Sequence, residues 1–340
     1  MTLKIDVFNH VFPKTCFDRF QQVVANRGAV KRFLHIPYLH DVSVRFRMLE
    51  EFGADYRQIL SLSAPPIESV NPDKQITIDL ARLANDSQAE LIRQYPERFA
   101  GFIASLPLNH PDASVREFER AVGELGALGA QIFSNVNGLP LDDERFFPVF
   151  EAAQRLQRPL LLHPARGAGF ADYPGEPKSK YEIWWTFGWP YETSVAMQRL
   201  VFSRLFDRLP DIRIVTHHLG AMIPYFEGRI GYGLDQMGSR TADEDYESLR
   251  RAMPHRPIDY FKKFWADTAV FGSRAATVCG LSFFGTDQVV FASDAPFDPE
   301  GGPLYIRETI RVIDSLDIGD ADRRKIYQGN AERLFDRAFR

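Results

Sequence analysis

The chain's chemistry-bearing residues stand at the ends of short apolar runs. His10 closes KIDVFNH, His163 closes PLLLH, His217 and His218 close IRIVTHH, Asp267 closes FWAD and Asp294 closes VVFASD. Imidazoles and carboxylates together suit a zinc-like divalent ion, and three protein ligands leave a coordination position open for water or substrate. Each residue alone has an ordinary alternative. A histidine before proline, as in His163-Pro164, is commonly structural, and an Asp before Ala-Pro commonly makes a turn or a cap. Neighbours on a strand point to opposite faces, so at most one of His217 and His218 is expected to face a given pocket.

Something must gather these groups, and the apolar runs themselves supply it. Eight strand-like segments are expected at Lys4–Val11, Tyr56–Ser63, Phe99–Pro107, Gly129–Asn135, Pro159–Pro164, Ile212–Leu219, Phe264–Val270 and Val289–Pro296. Between most of them lie stretches with apolar residues at three- and four-residue spacing: Lys74–Tyr95, Ala113–Leu128, Asp143–Gln157, Glu192–Leu209 and Ile306–Leu316. Alternation of this kind implies a parallel sheet, and eight repeats imply an α/β fold, a single (β/α)8 TIM barrel spanning 1–340. Such a barrel brings every strand end to one mouth. Two segments exceed ordinary loops, an insertion of about 12–55 after the first strand and Ala165–Pro190 after the fifth. Insertions on that side shape active sites or oligomer contacts. Asn330, in GNAERLF, is expected to cap the last helix.

Composition narrows the function classes. The 340 residues carry a net charge of -4, with 45% hydrophobic and 25% charged residues, as in globular proteins. Basic residues are scattered, which argues against nucleic acid as a partner. No apolar run reaches the ~18 residues of a membrane helix, so no membrane partner and a cytoplasmic location are expected. Two cysteines make neither a disulfide framework nor a thiolate metal site. The 28 phenylalanines and 12 tyrosines suit an aromatic-lined pocket or an oligomer interface.

HP at the fifth strand, H-x-G followed by Pro and Arg at the sixth, SDAPF at the eighth and GNAERLF near the end carry a resemblance. In these motifs the chain resembles the amidohydrolase-related decarboxylases of the amidohydrolase superfamily. It is most similar to the aminocarboxymuconate-semialdehyde and γ-resorcylate decarboxylase groups, over essentially its whole length. The resemblance implies that His10, His163 and Asp294 bind a metal and that His218 is the catalytic imidazole, with Asp294 taking part in proton transfer. It further implies that Arg45 and Arg229 hold substrate carboxylate, Arg45 lent by a neighbouring subunit, and that Trp185 lines the pocket. His217 sits where the family has no fixed residue. Asp267 is expected to orient His218 or a ligand.

One position departs from that pattern. The family opens with H-x-H or E-x-H on the first strand, whereas this chain reads Phe8-Asn9-His10. Phe8 cannot bind a metal and is expected to wall the substrate site. Zinc is the expected ion and manganese the alternative, weakly held or absent because one ligand is missing. The expected function is metal-assisted, non-oxidative decarboxylation of a small aromatic or unsaturated carboxylic acid by a homodimer or larger homo-oligomer. The alternative is a hydrolase or hydratase in which the same site activates water against a lactone, amide or C=C bond, with metal independence open because of Phe8.

Overall fold

The computed structural model describes residues 2–26, 31 and 33–339, so 27–30 and 32 of the first insertion lie outside the described residues. Eight parallel strands follow one another round the sheet in chain order: β1 Lys4–Val11, β2 Tyr56–Leu62, β3 Phe99–Ser105, β4 Gly129–Phe133, β5 Leu160–His163, β6 Ile214–Thr216, β7 Trp265–Asp267 and β8 Val289–Val290. The ring is completed between the two ends of the sheet. Val7 donates its N–H to Phe291 O at 2.9 Å, Asp294 to Phe8 O at 3.1 Å and His10 to Ala295 O at 2.9 Å. This is the expected (β/α)8 barrel.

The principal helices are α1 Lys14–Val23, α2 Val42–Leu49, α3 Lys74–Gln94, α4 Pro111–Gly123, α5 Phe147–Arg155, α6 Gly188–Phe202, α7 Arg274–Phe284, α8 Pro303–Asp314 and α9 Asn330–Phe335. Of these, α3, α4, α5, α6 and α8 fall in the expected stretches with shifted boundaries, and α7 lies where no helix was expected. Local chemistry sets several of their starts. Asp41 and Asp73 accept backbone N–H groups of the first turns of α2 and α3, satisfying donors that have no partner within the helix. Asn330 is not a cap. Its amide donates to Thr286 O and Val289 O, both at 2.7 Å, and so ties α9 to the start of β8.

Inside the barrel, Ile5, Val7, Ile59, Ile103, Leu161, Val215 and Val290 form a buried apolar cluster that continues into Leu334, Phe335 and Phe339.

Most strands are shorter than the sequence suggests, and two of the shortenings matter to the site. β6 ends at Thr216, because His218, Leu219, Gly220 and Ala221 all have φ between 54 and 77°. β8 ends at Val290, and Asp294 has φ 61°. Left-handed backbone is costly for residues with a side chain and is sustained only where surrounding structure holds it. Gly220 is the one residue of its turn suited to that conformation, and a Cβ there would stand 2.7 Å from the Phe284 ring.

Candidate active site

Donor atoms of His10, His163, His217 and Asp294 all lie within 4.8 Å of one another, and the four residues are 0–4% exposed. Each histidine has its outward nitrogen occupied. His163 Nδ1 donates to Pro164 O at 2.7 Å, His10 Nδ1 meets Ser61 Oγ at 3.2 Å, and His217 Nδ1 donates to the Asp267 carboxylate. These partners hold the Nδ1 side, which leaves the Nε2 atoms to face inward. His10 Nε2 lies 2.9 Å from Asp294 Oδ1, and His217 Nε2 lies 3.3 Å from the same oxygen without a hydrogen bond.

The expectation that only one of His217 and His218 faces the pocket is corrected. His218 Nε2 is 3.5 Å from Asp294 Oδ2, and the two imidazole centroids are 3.9 Å apart. The alternation rule applies to extended backbone, and the left-handed turn beyond Thr216 swings His218 round to the side that His217 faces. His218 is the more open of the two, its side chain 12% exposed against 0%. Asp267 also accepts from Ala269 N at 3.0 Å, so the group it orients directly is His217.

Electrostatics calls for positive charge beside Asp294. Burial raises that carboxyl's pKa, but the neighbouring imidazoles, His217 foremost and then His10 and His218, outweigh it and hold the group well below its usual range. Burial works against charge on His217, yet Asp267 and Asp294 push it up to about 10. Burial, then the neighbouring His217, lowers both His163 and His218. An imidazolium thus stands where a cation fits. With three inward imidazole nitrogens, one carboxylate and a buried His217 Nε2 lacking a hydrogen bond, the residues fit a divalent ion.

Aromatic rings enclose the cluster. The Phe8 ring centroid is 5.3 Å from His10, 5.9 Å from His163 and 4.1 Å from His217, the last in stacked geometry. Phe133 and Trp189 meet His163 edge-on at 5.2 and 5.3 Å, Phe297 lies 5.5 Å from His10, and Phe271 lies 5.5 Å from His218. Trp185 stands one ring further out, 6.5 Å from Phe271. Sequence reasoning missed Phe133, Trp189, Phe271 and Phe297. Phe297 follows the SDAP stretch directly and Phe133 ends β4, so position at a strand end was the usable signal.

Neither arginine joins the cluster within this chain. Arg45 is fully buried. Its guanidinium donates to Asn9 Oδ1 at 3.0 Å, Gln58 Oε1 at 2.8 Å, Tyr38 O at 3.3 Å and the carbonyl of His10. A guanidinium spent on four acceptors of its own chain cannot reach a neighbour's site, so the expectation that Arg45 is lent to a partner is corrected. It braces the strand that carries His10 instead. Arg229 is exposed, 5.9 Å from the Phe226 ring, and makes no hydrogen bond or ion pair with the cluster among the described residues. A cavity of about 480 Å³, lined by Arg199, Phe202, Met237 and Arg240 among others, contains none of the cluster residues.

Comparison with known proteins agrees with this geometry. A family model described as amidohydrolase matches residues 45–337. The chain is 31% identical over 353 residues to 2-amino-3-carboxymuconate-6-semialdehyde decarboxylase of Dictyostelium discoideum, covering 97% of this chain and 90% of that one. It is 35% identical over 304 residues to gamma-resorcylate decarboxylase of Rhodococcus jostii (strain RHA1), covering 86% of each. It is similar to the crystal structure of a dihydroxybenzoic acid decarboxylase from Polaromonas with bound manganese and the inhibitor 2-nitroresorcinol. That likeness has a TM-score of 0.78 and 29% identity, and covers 99% of this chain and 98% of the other. The chain belongs to the amidohydrolase family, within its carboxy-lyase branch.

Proposed function

We propose that the protein catalyses the non-oxidative decarboxylation of a small aromatic carboxylic acid, assisted by a divalent ion held by His10, His163 and Asp294. The observation that carries this reading is the convergence of inward Nε2 atoms on Asp294, with His218 beside it at the more open side of the cluster. When bound, the ion supplies a Lewis acid that polarises substrate oxygen. His218, beside Asp294 Oδ2 and at the more open side of the cluster, is placed to deliver a proton taken up from water to the ring carbon that loses CO2, with Asp294 orienting its imidazole. Phe8, Phe271 and Phe297 offer apolar walls to an aromatic ring and keep water away from the carbanion-like centre. Trp185 extends that wall outward.

Decarboxylation also needs a clamp on the departing carboxylate, and this chain's Arg45 is unavailable. Arg229 is exposed near Tyr225 and Tyr232, which are 79% and 78% exposed. Exposed aromatics beside an arginine suit an interface between copies, so Arg229 is read as the arginine supplied across a homodimer.

The test supplies hydroxylated benzoic acids to protein stripped by chelator and then loaded with Zn²⁺ or Mn²⁺, measuring CO2 release against ¹⁸O incorporation from water. Metal-dependent CO2 release is expected, and the ion giving the higher rate decides between zinc and manganese. Water incorporation without CO2 moves the assignment to hydrolase or hydratase. In a second arm, Arg229→Ala and His218→Ala chains, each inactive, regain activity on mixing. Arg45→Ala mixed with His218→Ala does not.

A further inference from the structure

Phe8 and His217 meet inside the cluster. Phe8 lies two residues before His10 on β1 and, like it, is fully buried. The first strand therefore delivers one nitrogen and one hydrocarbon ring to the site. His217 stacks on that ring, with centroids 4.1 Å apart and planes inclined by 21°. The His163 ring lies 5.2 Å from His217 at 27° and 5.9 Å from Phe8, so the three rings pack against one another. Asp267, at the end of β7, takes the Nδ1 proton. Stacking on Phe8 and the hydrogen bond to Asp267 thus set the rotation of His217 and its Nδ1 proton, and Nε2 is left buried 3.3 Å from Asp294 Oδ1 without a hydrogen bond.

We propose that His217 is the fourth metal ligand, through Nε2, and that it makes up at the end of β6 for the donor that Phe8 cannot supply from β1. Phe8 and Asp267 are its positioning residues, one as a stacking plate and the other as a hydrogen-bond anchor. The inference rests on the metal reading above and adds where the fourth donor comes from. Three considerations support it. The donor atoms of His217 and of the other three residues fall in one 4.8 Å group, whereas His218 is not a member of that group. Its Nδ1–carboxylate partner is the arrangement that orients metal-bound imidazoles and raises their basicity. Charge also balances, because Asp267 and Asp294 together offset the two positive charges of a divalent ion while three neutral imidazoles complete the set.

The site consequently need not be a weakened one. With His217 included, four protein donors surround the ion, and the expectation of loose retention drawn from Phe8 alone no longer follows. Phe8→His places a second imidazole on β1 where a ring already fills the space, so it gains little in the presence of His217 and much in its absence.

The experiment measures affinity of chelator-stripped full-length protein for Zn²⁺ and Co²⁺, by competition with a chromophoric chelator, together with the visible absorption of the Co²⁺ form. His217→Ala is expected to weaken binding by roughly 100-fold or more and to change the Co²⁺ spectrum, and Asp267→Asn to weaken it by about 10- to 100-fold. Phe8→His added to His217→Ala restores most of the loss, whereas Phe8→His alone changes affinity by less than about threefold. Circular dichroism melts of the stripped variants report folding, and His217→Asn replaces His217→Ala if the latter is unfolded. Unchanged affinity in folded His217→Ala or His217→Asn overturns the proposal while leaving the three-ligand reading in place. Unchanged affinity in His163→Ala as well overturns the metal reading itself.

Discussion

Two buried polar clusters share strand β1 and differ in one respect. On one side Asp6, Asn9, Tyr38, Arg45, Tyr56, Gln58 and Ser293 form a closed network. Tyr56, Asn9 and Ser293 all donate to Asp6, Gln58 donates to the hydroxyls of Tyr38 and Tyr56, and Arg45 donates to Asn9, Gln58 and two backbone carbonyls. None of these side chains has a buried polar atom without a partner. On the other side, His217 Nε2 and His218 Nδ1 are buried with no hydrogen bond. Burial without a hydrogen bond is costly, and here two such atoms stand side by side among residues whose chemistry suits an ion. The saturated cluster holds the insertion against the barrel. The unsaturated one is where we propose that ion and substrate bind. His10 joins them, its ring in the second cluster and its carbonyl accepting from Arg45 in the first.

Removing Arg45 gives the sharpest test of that division. Arg45→Ala strips four acceptors of their donor and opens a cavity between α2 and β1, so unfolding stability falls by about 3–5 kcal/mol. Urea denaturation of the metal-free protein measures it. A loss below about 1 kcal/mol contradicts the structural role, and a selective loss of substrate binding at unchanged stability returns Arg45 to the site.

Glu68 belongs to neither cluster and separates burial from function. Its carboxyl is 3% exposed, Oε1 has no partner, and burial raises its pKa from 4.5 to about 8. The folded state therefore holds a proton that the unfolded state releases above pH 4.5. Stability from this group is fully present below pH 4.5, declines as pH rises from 4.5 to about 8, and is level beyond. Across that window the decline is on the order of 5 kcal/mol. Glu68→Gln abolishes this part of the pH dependence and is the more stable protein at pH 8, as denaturation at pH 5 and pH 8 measures. Parallel curves for the two proteins contradict the assignment.

A smaller effect is expected at the turn that swings His218 into the pocket. Gly220→Ala adds a methyl group 2.7 Å from the Phe284 ring on a φ of 77°. The expected cost is about 1–3 kcal/mol, with activity falling more than stability because the turn carries His218. The ¹⁵N chemical shifts of the labelled His218 ring move if the turn is displaced. Wild-type shifts together with wild-type activity show that this turn does not position the residue.

Much of the molecule was legible in the chain because the signals are local. β-branched apolar runs mark strands, three- and four-residue apolar spacing marks helices, and their alternation implies the barrel that gathers His10, His163 and Asp294 at one end. The family motifs sit on those same strand ends. What tertiary structure alone decided concerns direction and partnership. Whether His218 obeys strand alternation depends on where β6 stops, and Ile212–Leu219 reads as one uninterrupted strand although only Ile214–Thr216 is extended within the sheet. Whether an arginine is free depends on which acceptors surround it. Arg45 and Arg229 look equally available in sequence, yet one is fully buried and the other exposed. Phe8 read alone is a missing ligand. Only the packing of β1 against the end of β6, residues more than two hundred positions apart, brings its ring face to face with His217, because side-chain contacts between distant strands depend on register and twist that no local pattern encodes.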